Sequence, residues 1–128
     1  MSADRCRVQV QQAAFSPGQL QDLLPPSGAV VTFTGNVRDL STAGSVHALQ
    51  LEHYPGMTER SLQAIASEAT ARWSLRAAHI LHRVGRIEAG EAIVWVGVCA
   101  DHRGEAFAAC EFIMDALKTR APFWKKEH

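Results

Sequence analysis

The sequence predicts a mixed fold of helices and strands, in which a mainly antiparallel sheet is covered by two main helices. Three observations carry that expectation. Two long segments repeat apolar residues at helical spacing, five shorter ones are rich in β-branched residues or alternate apolar with polar, and turn signals separate neighbouring strands. With 128 residues, 47% hydrophobic and 20% charged, the chain is expected to form a single domain over residues 1–128 with a substantial core.

Taken in order, residues 5–10 form a first short strand, with Val8 and Val10 alternating against Gln9 and Gln11. Ser16-Pro17-Gly18 opens a turn or helix, in which Leu20, Leu23 and Leu24 have helical spacing before Pro25-Pro26 stops it. Ala29 to Thr34 is β-branched and aromatic, so it reads as a strand, which Gly35-Asn36 ends. A polar loop over residues 37–44 leads to a strand over residues 46–53, where Leu49 and Leu51 oppose Gln50 and Glu52. These two strands are expected to be antiparallel neighbours. Arg38 then lies at their connecting end beside glycine, where backbone approaches a ligand easily.

Tyr54-Pro55-Gly56 breaks the strand, and a helix follows to about Trp73, with Leu62, Ile65, Ala66, Ala69 and Trp73 on one stripe. On its wet side Glu68 and Arg72 form an i,i+4 pair in the favourable order. Residues 77–84 and 92–100 are two further strands around Ala89-Gly90. The second of these is apolar on both faces, as a doubly covered central strand should be. A last helix follows Asp101-His102-Arg103-Gly104, with Phe107, Cys110, Ile113, Met114, Leu117 and Ala121 as its apolar stripe. Ala121 precedes Pro122, so this helix should end near Arg120.

Thirteen basic and thirteen acidic residues cancel, so no global field recommends DNA or membrane binding. An RNA-binding role for Arg103 and the Lys-Trp-Lys segment is disfavoured by that neutrality and by few aromatics on any strand face. Cys6, Cys99 and Cys110 are odd in number and lack CxxC spacing, which reads as reduced thiols in a cytoplasmic protein. The N-terminus has no apolar signal-like region and no run reaches transmembrane length. His79 and His82 fall on opposite faces of their strand, which argues against a shared metal and for partial exposure; His47 and His53 read as surface or sheet-face residues.

Any anion site must therefore be a local concentration of charge. The densest is Lys118-Thr119-Arg120-Ala121-Pro122-Phe123-Trp124-Lys125-Lys126-Glu127, with four cations and two large aromatics. Cations at a helix C-terminus are common for reasons of the macrodipole alone. Projection at about 100° per residue, however, puts Lys118 on the margin of the apolar stripe, where its amine can reach a cleft. Lys125 would emerge from an irregular segment beyond Pro122 and could face the same pocket. His102 and Arg103 lie a helix length away, so either the chain folds back or a second subunit closes the site.

The runs Gly28–Arg38, Leu51–Thr58, Ala100–Arg103 and Phe112–Lys125, above all Lys-Thr-Arg-Ala-Pro-Phe-Trp-Lys, closely resemble the large, catalytic subunit of molybdopterin synthase. The resemblance covers roughly residues 28–127, and residues 1–27 match loosely. It implies an α+β fold of α/β hammerhead type. It also implies a homodimer in which each copy binds a small ubiquitin-like sulfur-carrier subunit, giving a heterotetramer. The carrier's C-terminal Gly-Gly thiocarboxylate would deliver two sulfurs to cyclic pyranopterin monophosphate (precursor Z), making the dithiolene of molybdopterin. By position, Lys118 matches the essential lysine and Lys125 the second active-site lysine. Asn36, Val37, Arg38, His102, Arg103, Lys125, Lys126 and Glu127 match substrate-contacting segments. No metal and no cofactor is expected. Family members usually continue with a short tail that carries a further arginine into the site, whereas His128 is the last residue of this sequence.

The residue chemistry agrees with those expectations. A cyclic phosphate and a thiocarboxylate are both anions, which Arg38, Arg103 and Lys125 can hold with charge-assisted hydrogen bonds. Lys118 would act as base or nucleophile, Lys125 would stabilise charge and move protons, and His102 would serve as proton donor or acceptor or simply hold the substrate or loop. Cys99 and Cys110, in apolar runs, are poor sulfur carriers.

Overall fold

Alternation along the strands divides the sheet residues into two layers. The computed structural model describes residues 5–38 and 48–126. Its elements are β1 (Cys6–Gln11), α1 (Pro17–Asp22), β2 (Ala29–Asn36), β3 (Ala48–His53), α2 (Met57–Trp73), β4 (Ala77–Arg83), β5 (Gly85–Glu88), β6 (Ala92–Ala100), α3 (Arg103–Arg120) and β7 (Phe123–Lys125). The larger sheet has the order β1-β4-β6-β2, with β6 antiparallel to both β4 and β2, and β1 parallel to β4. The expectation of a central β6 holds: residues 94–100 are all buried.

One face of this sheet presents Ala78, Ile80, Val96 and Val98 to α2 and α3. Leu62, Ile65 and Ala69 from α2 and Ala106, Ala109 and Ile113 from α3 complete that core. Burying each large side chain here contributes about 1.5–3 kcal/mol. On the opposite face the Trp95 indole lies across Gly97, where a Cβ would stand 2.3 Å from the ring and 3.0 Å from a Leu24 methyl. Residue 97 must therefore lack a side chain for the indole to lie flat. α1 sits on this same side; its start is set by Ser16, whose hydroxyl accepts from the Gln19 N–H at 3.3 Å, followed by Pro17 in the first turn.

Several expectations need correction. β2 and β3 are not neighbours: β2 pairs with β6, whereas β3 lies in a second, three-stranded sheet of order β5-β3-β7. Nothing in either strand's own pattern encodes its partner. β5 was hidden because Gly85, at φ +82, redirects the chain after β4 and the strand it opens has only four residues. In α3 the buried stripe runs through Ala106, Ala109, Cys110, Ile113, Ala116 and Leu117, while Phe107 is 62% exposed. Small alanines carry the burial, and Phe107 belongs to a second apolar face. Glu68 bonds Arg120 across the α2–α3 contact at 3.3 Å, and Arg72 lies instead over the Trp73 ring at 4.6 Å. His79 is buried rather than partly exposed, and His82 is half-buried.

Candidate functional site

The cation-rich C-terminal stretch is held along its length by β3 and the start of α2. Ala121 is extended (φ −93, ψ 129), which ends α3 before Pro122 as expected. Phe123, Trp124 and Lys125 then pair with His53, Glu52 and Leu51, and the Lys126 N–H donates to the Gln50 carbonyl at 2.8 Å. Lys125 thus sits on a strand, not on the irregular segment expected. The buried Thr58 hydroxyl donates to the Pro122 carbonyl at 3.4 Å and accepts from the Tyr54 N–H at 3.1 Å. Tyr54 touches the Trp124 ring at 4.7 Å, and His82 stacks on Phe123 with centroids 3.9 Å apart.

Burial lowers the His82 pKa from its ordinary 6.5; a hydrogen bond from Nδ1 to the Arg83 carbonyl works against this, and His53 adds to the lowering. The unfolded chain therefore takes a proton that the folded ring resists. Its contribution is complete above about pH 6.5 and is lost as pH falls from there towards the lowered value. The thermal midpoint is expected to drop between about pH 7.5 and pH 5, and to drop less in His82→Gln. An equal drop in both proteins would clear the ring of any part.

Two clefts use β2 as a wall. The first, about 420 Å³, is lined by Asn36, Val37, Arg38, Leu49, Ile93 and Lys125. A register shift between Gly35 and Asn36 bends the strand end into it. Gly35 is packed tightly enough that a Cβ would lie 2.8 Å from a Val94 methyl. The Val37 N–H donates to the Glu91 carbonyl and its own carbonyl accepts from Gly90 N–H, both at 2.8 Å, which fixes where exposed Arg38 begins. The second cleft, about 410 Å³, runs between β2 and the outer face of α3. Phe33, Phe107, Cys110, Met114, Asp115 and Lys118 line it.

Lys118 and Lys125 therefore line adjacent clefts rather than one pocket. His102 and Arg103 line neither; they begin α3, and at 1.5 Å per residue His102 is roughly 24 Å along the axis from Lys118. Lys126 is exposed, and Glu127 and His47 lie outside the described residues. Sequence reasoning missed Phe107 and Asp115 as cleft residues, though the departure of Phe107 from the alanine stripe carries the signal. Burial raises the Cys110 thiol to about 11, so it stays protonated at neutral pH beside Lys118. Among the described residues no group of three His, Cys, Asp or Glu is placed to hold a metal, and no helix is long and apolar enough to cross a membrane.

The model of the family described as MoaE protein matches residues 10–120. The chain belongs to the MoaE family of molybdopterin synthase catalytic subunits. It is 56% identical over 124 residues to the molybdopterin synthase catalytic subunit of Pseudomonas aeruginosa, covering 94% of this chain and 83% of that protein. Among solved structures it resembles the molybdopterin biosynthesis MoaE protein from Burkholderia ambifaria, with TM-score 0.87, 48% identity and coverage of 95% and 82% of the two chains. It also resembles molybdopterin synthase from Staphylococcus aureus, with TM-score 0.84, 29% identity and coverage of 93% and 88%. The MoaE match spans Arg38, His102, Arg103 and Lys118, whereas Lys125 and Lys126 fall just beyond it.

Proposed function

We propose that this chain transfers two sulfurs from the thiocarboxylated Gly-Gly terminus of a small ubiquitin-like carrier to precursor Z, in the cytoplasm, as one domain of a homodimer within a heterotetramer. The observation that carries the reading is the pair of clefts along β2, one with Arg38 and Lys125 on its rim and the other with Lys118. The first suits an anionic substrate, since a guanidinium and an ammonium converge there with the Asn36 amide and apolar walls from Leu49 and Ile93. The second is open along its length and largely apolar, suited to an extended peptide tail that brings its reactive terminus to Lys118. Lys118 is the base or nucleophile, and Lys125 balances developing charge. Cys110, held protonated, takes no part as a sulfur relay.

The homodimer reading is supported by an unpartnered apolar rim. β2 is an edge strand, with Phe33 (41% exposed) facing Phe107 (62%) of α3 and Val30 (43%) on its other face. Across a two-fold axis running between antiparallel copies of α3, the start of one helix meets the end of the other. His102 and Arg103 of a second copy then approach Lys118, which resolves the helix-length gap.

The test is reconstitution with thiocarboxylated carrier and precursor Z. Dithiolene product is expected. Stable carrier binding without product would leave a binding module and overturn the enzymatic reading.

A further inference from the structure

The β1 edge of the larger sheet carries a second concentration of charge, remote from Lys118. Two adjoining cavities lie there, of about 340 and 300 Å³, and share Arg7, Leu23 and His79. The larger is walled by Leu20 and Leu23 from α1 and the turn after it, and by Gln9 from β1 and Gln63 from α2. Arg5, Arg7, Arg76 and Pro25 line the smaller.

The charges at this mouth are unequal. Arg76 donates to the Asp101 carboxylate at 2.6 Å, so its charge is met. Arg5, just before β1, and Arg7 on it lie two residues apart, both exposed, and neither pairs with a carboxylate among the described residues. Among the described residues no acidic side chain lines either cavity. In a chain of zero formal net charge, two guanidiniums without a carboxylate partner among the described residues, at the mouth of a cavity of mixed lining, form a local anion trap. The rim residue Leu23 is 55% exposed, an apolar surface set directly beside the two arginines.

We propose that this paired cavity binds an organic phosphate monoester, its dianionic head between Arg5 and Arg7 and its apolar body against Leu20 and Leu23. Two guanidinium charges match a dianion, and guanidinium forks match phosphate oxygens. The Leu20 and Leu23 side chains select against inorganic phosphate, which gains nothing from them.

Phenyl phosphate added to the isotopically labelled full chain tests the assignment by amide chemical shifts. Saturable shifts are expected at Arg5, Arg7 and Leu23, with inorganic phosphate binding at least about tenfold more weakly and phenol producing none of them. Arg7→Ala and Arg5→Gln, at exposed positions, should each weaken binding about tenfold with sulfur transfer unchanged. Shifts confined to the surroundings of Arg38 and Lys125, equal binding of inorganic phosphate, or undiminished affinity in both variants would overturn the proposal. Because the readout is binding at a distant face, it stands or falls separately from the sulfur-transfer reading.

Discussion

Lys118→Ala is expected to fold normally and to form dithiolene product roughly 10²–10⁴-fold more slowly than the unaltered protein. The side chain is exposed in the last turn of α3, where it lines the cleft beside Phe33, Phe107 and Met114 rather than supporting the core. Alanine keeps helix propensity, so the stability change should stay within about 0.5 kcal/mol. Loss of the amine removes the base or nucleophile and leaves both cleft walls standing. Carrier binding should therefore persist while single-turnover sulfur transfer fails. Turnover within a factor of about two of the original would remove Lys118 from the chemistry.

Trp95→Ala is expected to cost about 3–5 kcal/mol, which lowers the thermal midpoint by roughly 10–20 °C for a domain of this length. The indole is 2% exposed on the central strand and rests across Gly97 with Leu24 beside it. Denaturant unfolding followed by far-UV circular dichroism measures the loss. A cost below about 1 kcal/mol would mean that the layer beneath α1 is loosely packed.

The elements were largely legible because their periods are local. The pattern of residues 92–100 predicted a doubly covered central strand with the observed bounds, and Pro122 marked the end of α3. Pairing was not legible, since β2 and β3 have compatible patterns but belong to different sheets. The α3 stripe was misplaced because alanines bury without announcing themselves, while Phe107 drew the eye to the face that stays open. At the site, the cations were visible in the sequence, as was the possible need for a second subunit. What the sequence did not contain was the strand pairing that puts Lys125 beside Arg38, or the division of Lys118 and Lys125 between two clefts.

A site built from two copies can be tested by mixing two inactive proteins. Lys118→Ala and Arg103→Ala are each expected to be inactive in sulfur transfer. After co-refolding them in equal amounts, half of the sites in each mixed dimer combine an intact Lys118 with the partner copy's intact arginine. Dithiolene formation should then recover to roughly a quarter of the unaltered activity. A mixture no more active than its two components would contradict a site shared between copies and place the chemistry within one chain.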